Sequence, residues 1–324
     1  MRTSLVIIPT LALLLLLAGC SGNTNQNKPT DPFIGGNIAL NLYLQNGMPP
    51  PTIYDGGKYP FGVNIVLENV GEADLGPGTE NPYVTARLEN ILPAIFGITD
   101  ADLHQVLGER VNGRKKNFDG STLGGMVANF VFADLNFQGK LQGNDQVTIR
   151  GTVCYDYSNT ATTQICMKAD MLENVQDSTL CSLTGEKVVY NSGGPIHVTK
   201  VIQNPLGNNK AQINFEISHV GTGEFYGRSA TEDCNPSVRN TNKYYVDLNV
   251  SVQDPNGRVT CYRLNNGQSG RIVMYGGTPQ IISCTIEHIG TTSARVYSDI
   301  LTIRTFYRYG QFVEQPILIQ SVPS

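Results

Sequence analysis

Tryptophan is absent from the 324 residues, and only four histidines are present. The first absence leaves aromatic packing and any stacking on a ligand to fifteen tyrosines and eleven phenylalanines. The second leaves little for imidazole chemistry, because His104, His197, His219 and His288 are scattered and none has a partner at a metal-ligand spacing. His219 and His288 follow strand-like runs at equivalent positions, which reads as a structural or surface placement. No GxSxG elbow, HExxH pair or phosphate-binding loop occurs. Gly221–Gly227 (GTGEFYG) follows a strand but lacks the third glycine and the helix of a dinucleotide site, so it reads as a glycine turn. The sequence calls for no enzyme, no cofactor and no metal. Charged residues are sparse at 15%, and there is no basic excess of the kind nucleic acid requires.

A long membrane span is also missing. The apolar run Leu5–Leu17 is shorter than the roughly 20 residues a helix needs to cross a bilayer. Arg2 precedes it, and Leu17-Ala18-Gly19-Cys20 follows, which together make a secretory signal over residues 1–19. The ending resembles the lipobox of prokaryotic lipoproteins, in which Cys20 becomes the lipidated first residue. Acyl chains contribute about 0.8 kcal/mol per buried CH₂, so the expectation is a protein anchored to the membrane rather than spanning it. Residues 20–32 contain the polar stretch SGNTNQNKPTD and read as a flexible tether. Loss of residues 1–19 leaves 22 basic against 27 acidic side chains, a net charge of −5.

What the chain does have is turns and alternation. Thirty-four glycines and seventeen prolines punctuate short β-branched runs, the profile of an all-β protein. Phe61, Val63, Ile65 and Leu67 alternate with Gly62, Asn64, Val66 and Glu68, and Asn69-Val70-Gly71 closes the strand. Two echoes, INFEISHVG (213–221) and IISCTIEHIG (281–290), repeat the alternation and the apolar–glycine ending. Roughly 300 mature residues suit two domains. The expected division is a first β-sandwich over 33–180 with a charged loop inserted, and a second over 181–324. Residues 301–309 and 312–319 read as a closing hairpin around Gly310, and Asn204–Asn209 as a turn.

Six cysteines remain after Cys20: Cys154, Cys166, Cys181, Cys234, Cys261 and Cys284. An even number in an exported chain reads as disulfides. The run VCYDYSNTATTQICM reads as a hairpin turning at Ser158–Thr163, which would set Cys154 across from Cys166. Cys261 and Cys284 sit on alternating runs and could pair between strands. That leaves Cys181 with Cys234.

The stretch Pro49–Asp74, with PPP, YDGGKYPF and then LENVGEAD, resembles the CARDB-type modules of archaeal and bacterial surface proteins. The resemblance implies immunoglobulin-like β-sandwiches, here two in tandem, and a role in cell adhesion. The wider layout is similar to archaeal surface lipoproteins that carry a cysteine-bearing hairpin between two such modules. The family brings no catalytic residue to transfer.

The remaining candidate sites are few. Arg110, Arg114, Lys115 and Lys116 crowd one segment and form a docking patch for an acidic glycan or protein partner, with a solvated loop as the plainer reading. Glu72 with Asp74, and Asp100 with Asp102, read better as turns and caps than as Ca²⁺ ligands. Asn249-Val250-Ser251 is a glycosylation acceptor. The expectation is a non-catalytic, lipid-anchored protein on the extracellular face of the membrane. It would bind another envelope protein or glycan, or itself, through strand faces and edges. The alternative is a carbohydrate- or solute-binding subunit.

Overall fold

Apolar residues at every second position dominate the chain, and they fold as strands. The computed structural model describes residues 31–171, 181–228, 234, 241–290 and 296–322. The first half holds β1 (Leu40–Leu44), β2 (Thr52–Tyr54), β3 (Phe61–Asn69), β4 (Val84–Glu89), β5 (His104–Val106), β6 (Lys115–Lys116), β7 (Thr122–Leu123), β8 (Val127–Leu135) and β9 (Asp145–Met167). The second half holds β10 (Gly185–Lys187), β11 (Val189–Asn191), β12 (Ile196–Gly207), β13 (Lys210–His219), β14 (Glu224–Tyr226), β15 (Tyr245–Val252), β16 (Gly257–Cys261), β17 (Ser269–Val273), β18 (Gln280–His288) and β19 (Tyr297–Gln320). Among the described residues helix is confined to 3₁₀ turns such as Ala101–Leu103. No helix among the described residues is long and apolar enough to cross a membrane. The fold is all-β. Pro32–Ser324 forms one compact unit; Cys20, the expected signal and nearly all of the expected tether lie outside the described residues.

Two strands organise the rest. β9 and β19 are 23 and 24 residues long, about four times the usual strand length. They pair antiparallel from Tyr297 opposite Met167 to Ile319 opposite Asp145 without a shift in register. Their length follows from serving two sandwich halves in turn. At one end β9 carries β4, and β4 carries β5, while β19 takes β2 in parallel. At the other end β9 takes β11, and β19 takes β15 followed by β17. Each end has its own cover, β1-β3-β8 for the first and β10-β12-β13-β18-β16 for the second. Ile65 of β3 lies so close to Gly151 of β9 that a Cβ there would meet its Cδ1 at 2.5 Å. In the second cover, the Gln203 side chain of β12 accepts from the Cys166 amide of β9 at 3.0 Å. Odd-numbered residues of β9 from Ile149 to Met167 are buried throughout, and one hydrophobic cluster runs through both ends.

This architecture changes several expectations. The division at residues 180 and 181 separates β9 from β19 in sequence, yet the ladder joins them in one sheet. Ser158–Thr163 is not a turn: it is the middle of β9. Its buried polar side chains have partners, with Asn159 Nδ2 donating to Ser192 O at 2.9 Å and Thr163 Oγ1 to Val188 O at 2.7 Å. Gly310 is not a hairpin turn either, because β19 runs straight through it opposite Cys154. A Cβ at position 310 would meet Cys234 Cβ at 2.9 Å, so the glycine admits a disulfide rather than a reversal. The Asn204–Asn209 turn shrinks to Asn208-Asn209, since β12 continues to Gly207.

The disulfides are corrected in the same way. Cys154 and Cys166 lie on one extended strand, about 40 Å apart at 3.3 Å per residue, and cannot bond. Cys154 bonds Cys234, Cys166 bonds Cys181, and Cys261 bonds Cys284 as expected. The last pair joins directly opposed residues of β16 and β18.

A candidate binding cleft at the seam

The two halves meet at the middle of the ladder. There Tyr155 faces Tyr309 and Tyr157 faces Tyr307 on the covered side. The four rings touch edge to face or tilted, with centroids 5.9–6.2 Å apart, contacts worth about 0.5–1.5 kcal/mol each beyond burial. Each hydroxyl has a partner. Tyr155 donates to Gln311 Oε1 at 2.6 Å and Tyr157 to Gly193 O at 2.7 Å. Tyr307 donates to Asn159 Oδ1, and Tyr309 accepts from Gly223 N at 2.7 Å. His219 Nε2 sits 3.0 Å from the Tyr309 hydroxyl and its ring 4.9 Å from Phe225, a structural placement. Burial raises all four phenols, Tyr309 to about 12.

The sequence echoes acquire a meaning here. β3 and β13 are the middle strands of their respective covers or lie inside them, and each ends in the apolar–glycine pair. A Cβ at Gly71 would fall 1.9 Å from the Tyr157 hydroxyl, and one at Gly221 would fall 2.4 Å from the Tyr309 hydroxyl. Both glycines let a chain reversal close over a phenol. A Cβ at Gly290, which ends the second echo, would meet nothing within 4 Å.

A cleft of about 550 Å³ opens beside this seam. Its position follows from the pairing of β9, whose free edge holds β4 up to Tyr155 and β11 from Ala161 onward. Between them no strand among the described residues is paired to that edge. Ser158 and Thr160 of the gap line the cleft, together with Ser192 beyond β11 and Arg304 of β19. The opposite wall is the charged segment, which folds into the β6–β7 hairpin and packs on residues 69–75. Arg114 N donates to Gly71 O at 2.7 Å, and a Cβ at Gly113 would meet the Glu72 carbonyl carbon at 2.7 Å.

All four residues of the expected docking patch, Arg110, Arg114, Lys115 and Lys116, line this cleft. Asp74 accepts from Arg110 at 2.6 Å, Lys115 at 2.9 Å and Gly113 N at 3.0 Å. Burial pushes its carboxyl up, but those donors outweigh it and hold Asp74 below the usual range. Glu72 closes the rim by accepting from the amides of Ile34, Gly35 and Gly193 at 3.0, 3.0 and 2.7 Å. Glu80 is paired with Arg304. Glu72 and Asp74, expected in turns, instead hold donors distant in sequence; Asp102 accepts locally from Thr99 N at 2.8 Å, whereas Asp100 makes no cap hydrogen bond and pairs with Arg87 at 2.8 Å. Among the described residues no cluster of three metal-ligating side chains occurs.

Arg304, Glu80, Ser158, Thr160 and Ser192 were not legible as site residues. Ser158 and Thr160 carried a signal, a run of polar residues in a strand, but it reads as a turn until the partner strands are known. Asn249 lies mid-strand on β15, opposite Arg304, with its amide donating to Ser269 Oγ at 2.8 Å. No family model matches this chain, and no curated protein matches it.

Proposed function

We propose that this is a lipid-anchored surface protein with a non-catalytic binding role, held through Cys20 on the outer face of the cell membrane. The cleft at the seam carries the reading. Its walls come from both halves of the chain and include the whole cationic docking patch. Its carboxylates are tied to neighbouring donors, which supports binding over proton transfer. The partner is another component of the envelope. The immunoglobulin-like, CARDB-type description of the two halves belongs to the same proposal, with the tandem modules fused through β9 and β19. The antiparallel cover β1-β3-β8, with Phe61–Asn69 at its centre, supports it.

Protein contact and self-association have separate support in β8. It is an edge strand of its sheet, and Val127 and Val131 are 50% and 48% exposed on its outer face. The second reading, a carbohydrate- or solute-binding subunit, is favoured by the size of the cleft, which falls within the range of small-ligand sites.

The test is retention. Full-length oxidised protein is immobilised and exposed to solubilised host envelope, with a glycan-stripped envelope in parallel, and bound material is identified by mass spectrometry. Retention of one specific component is expected. Survival on stripping assigns a protein partner, and loss assigns a glycan. Nothing retained in either arm overturns the binding role.

A further inference from the structure

We infer that the cleft takes an anionic saccharide and that Arg114 anchors its acidic group. The inference rests on the reading of the cleft as a binding site and names its ligand. Five cationic side chains line it against three carboxylates, a surplus of two on a protein that is acidic overall. The carboxylates are occupied, as described above, and so are most of the cations. Arg110 and Lys115 share Asp74, Arg304 holds Glu80, and Lys116 Nζ donates to Phe33 O at 3.1 Å.

Arg114 is the exception. Its backbone amide is bonded, but the guanidinium of this half-exposed residue has no hydrogen bond, ion pair or ring contact among the described residues. A guanidinium carries five N–H donors in a planar fork that matches two oxygens of one acidic group. Arg114 is also held in place from below, since Gly113 packs against Glu72 and the Arg114 amide is tied to Gly71.

The rest of the lining selects the body of the ligand. Thr79, Ser158, Thr160 and Ser192 place hydroxyls around the cleft, the groups that exchange hydrogen bonds with sugar hydroxyls. Phe33 is the single aromatic in the lining, so a base or other ring system has no second face to stack on. The chemistry is an acidic group, carboxylate or sulfate, on a hydroxyl-rich ligand.

Calorimetric titration of the full-length protein distinguishes the sources, using trigalacturonate, sulfated maltotriose and neutral maltotriose at low salt. At least one acidic trisaccharide is expected to bind about tenfold or more tighter than maltotriose and to weaken as salt is raised. Arg114→Gln is expected to lose about tenfold or more of that affinity. Arg114→Lys keeps the charge without the fork and falls between. Arg258→Gln, at an exposed position on β16 outside the lining, serves as the control and leaves binding unchanged. Thermal unfolding verifies that all three variants fold. Whichever acidic probe binds tighter names the group. Equal binding of maltotriose, wild-type affinity in Arg114→Gln, or no binding of either acidic probe overturns the inference. If envelope retention persists alongside any of those results, the binding role stands and only the ligand assignment falls.

Discussion

On the covered face of the β9–β19 ladder, four phenols fill the seam between the halves, each satisfied by a neutral partner. On the opposite face, one residue along, the same strands bury Cys154, Asp156 and Arg308. Asp156 accepts from Arg308 at 3.0 Å, and Arg308 lies 3.7 Å over the Tyr83 ring. The Cys154–Cys234 disulfide covers the middle of that face and spans 80 residues. Arg228 adds bonds from the same region, donating to Asn81 Oδ1 at 2.5 Å and Tyr157 O at 2.9 Å. The covered face is closed by shape and neutral hydrogen bonds, whereas the opposite face depends on a charge pair and a covalent bond. The difference follows from what lies above each. Two sheets cover the first; over the second, the described residues include the short segments that carry Tyr83, Arg228 and Cys234.

Alkaline pH should separate the two faces most strongly. The folded state raises all four seam phenols above the ordinary tyrosine value of 10.0, Tyr309 to about 12. Groups shifted up in this way contribute stability that is complete below the unfolded value and is lost as pH rises through the folded one. Cooperative unfolding is therefore expected between pH 10 and about 12, followed by circular dichroism together with tyrosinate absorbance. Ionisation of all fifteen tyrosines ahead of any loss of structure would show that the seam is not buried in solution.

Asp156→Ala attacks the other face. It takes the carboxylate from a buried Arg308, a change that costs about 3–5 kcal/mol in comparable buried pairs. Urea unfolding should register it, and Asp156→Ala combined with Arg308→Met should recover part of the loss. A double variant no more stable than the single would mean that Arg308 contributes by packing on Tyr83 rather than by charge.

Tyr157→Phe is the smallest change and the sharpest probe of the covered face. It removes a hydroxyl that donates to Gly193 O and accepts from Glu72 N and Ala73 N at 3.1 and 3.3 Å. The expected destabilisation is about 1–3 kcal/mol. Because Glu72 and Ala73 also line the cleft, ligand affinity should fall in the same variant. An unchanged urea midpoint would make the hydroxyl incidental to the seam.

How much of this was legible depends on the range of each interaction. Alternation in Phe61–Leu67 located a strand, since period two is a local consequence of the pleat, although Asn64 and Val66 on its other face are buried as well. The crowding of Arg110, Arg114, Lys115 and Lys116 located the charged wall of the cleft. The polar run at Ser158–Thr163 and the glycine at 310 were misread as turns, because polarity and glycine mean reversal only when no distant segment supplies partners or close approach. Ser192 and Cys234 are those distant segments.

The sequence by itself determined the all-β class and the location of the cationic segment, and it pointed to several strands and to Cys261 and Cys284 as a possible pair. These rest on residues close in the chain or on strand periodicity. Only the tertiary structure decided that two strands run unbroken through both halves, that Cys154 reaches Cys234, and that a gap between β4 and β11 opens the cleft. Each of those joins residues far apart in sequence, where no local pattern records which edge meets which.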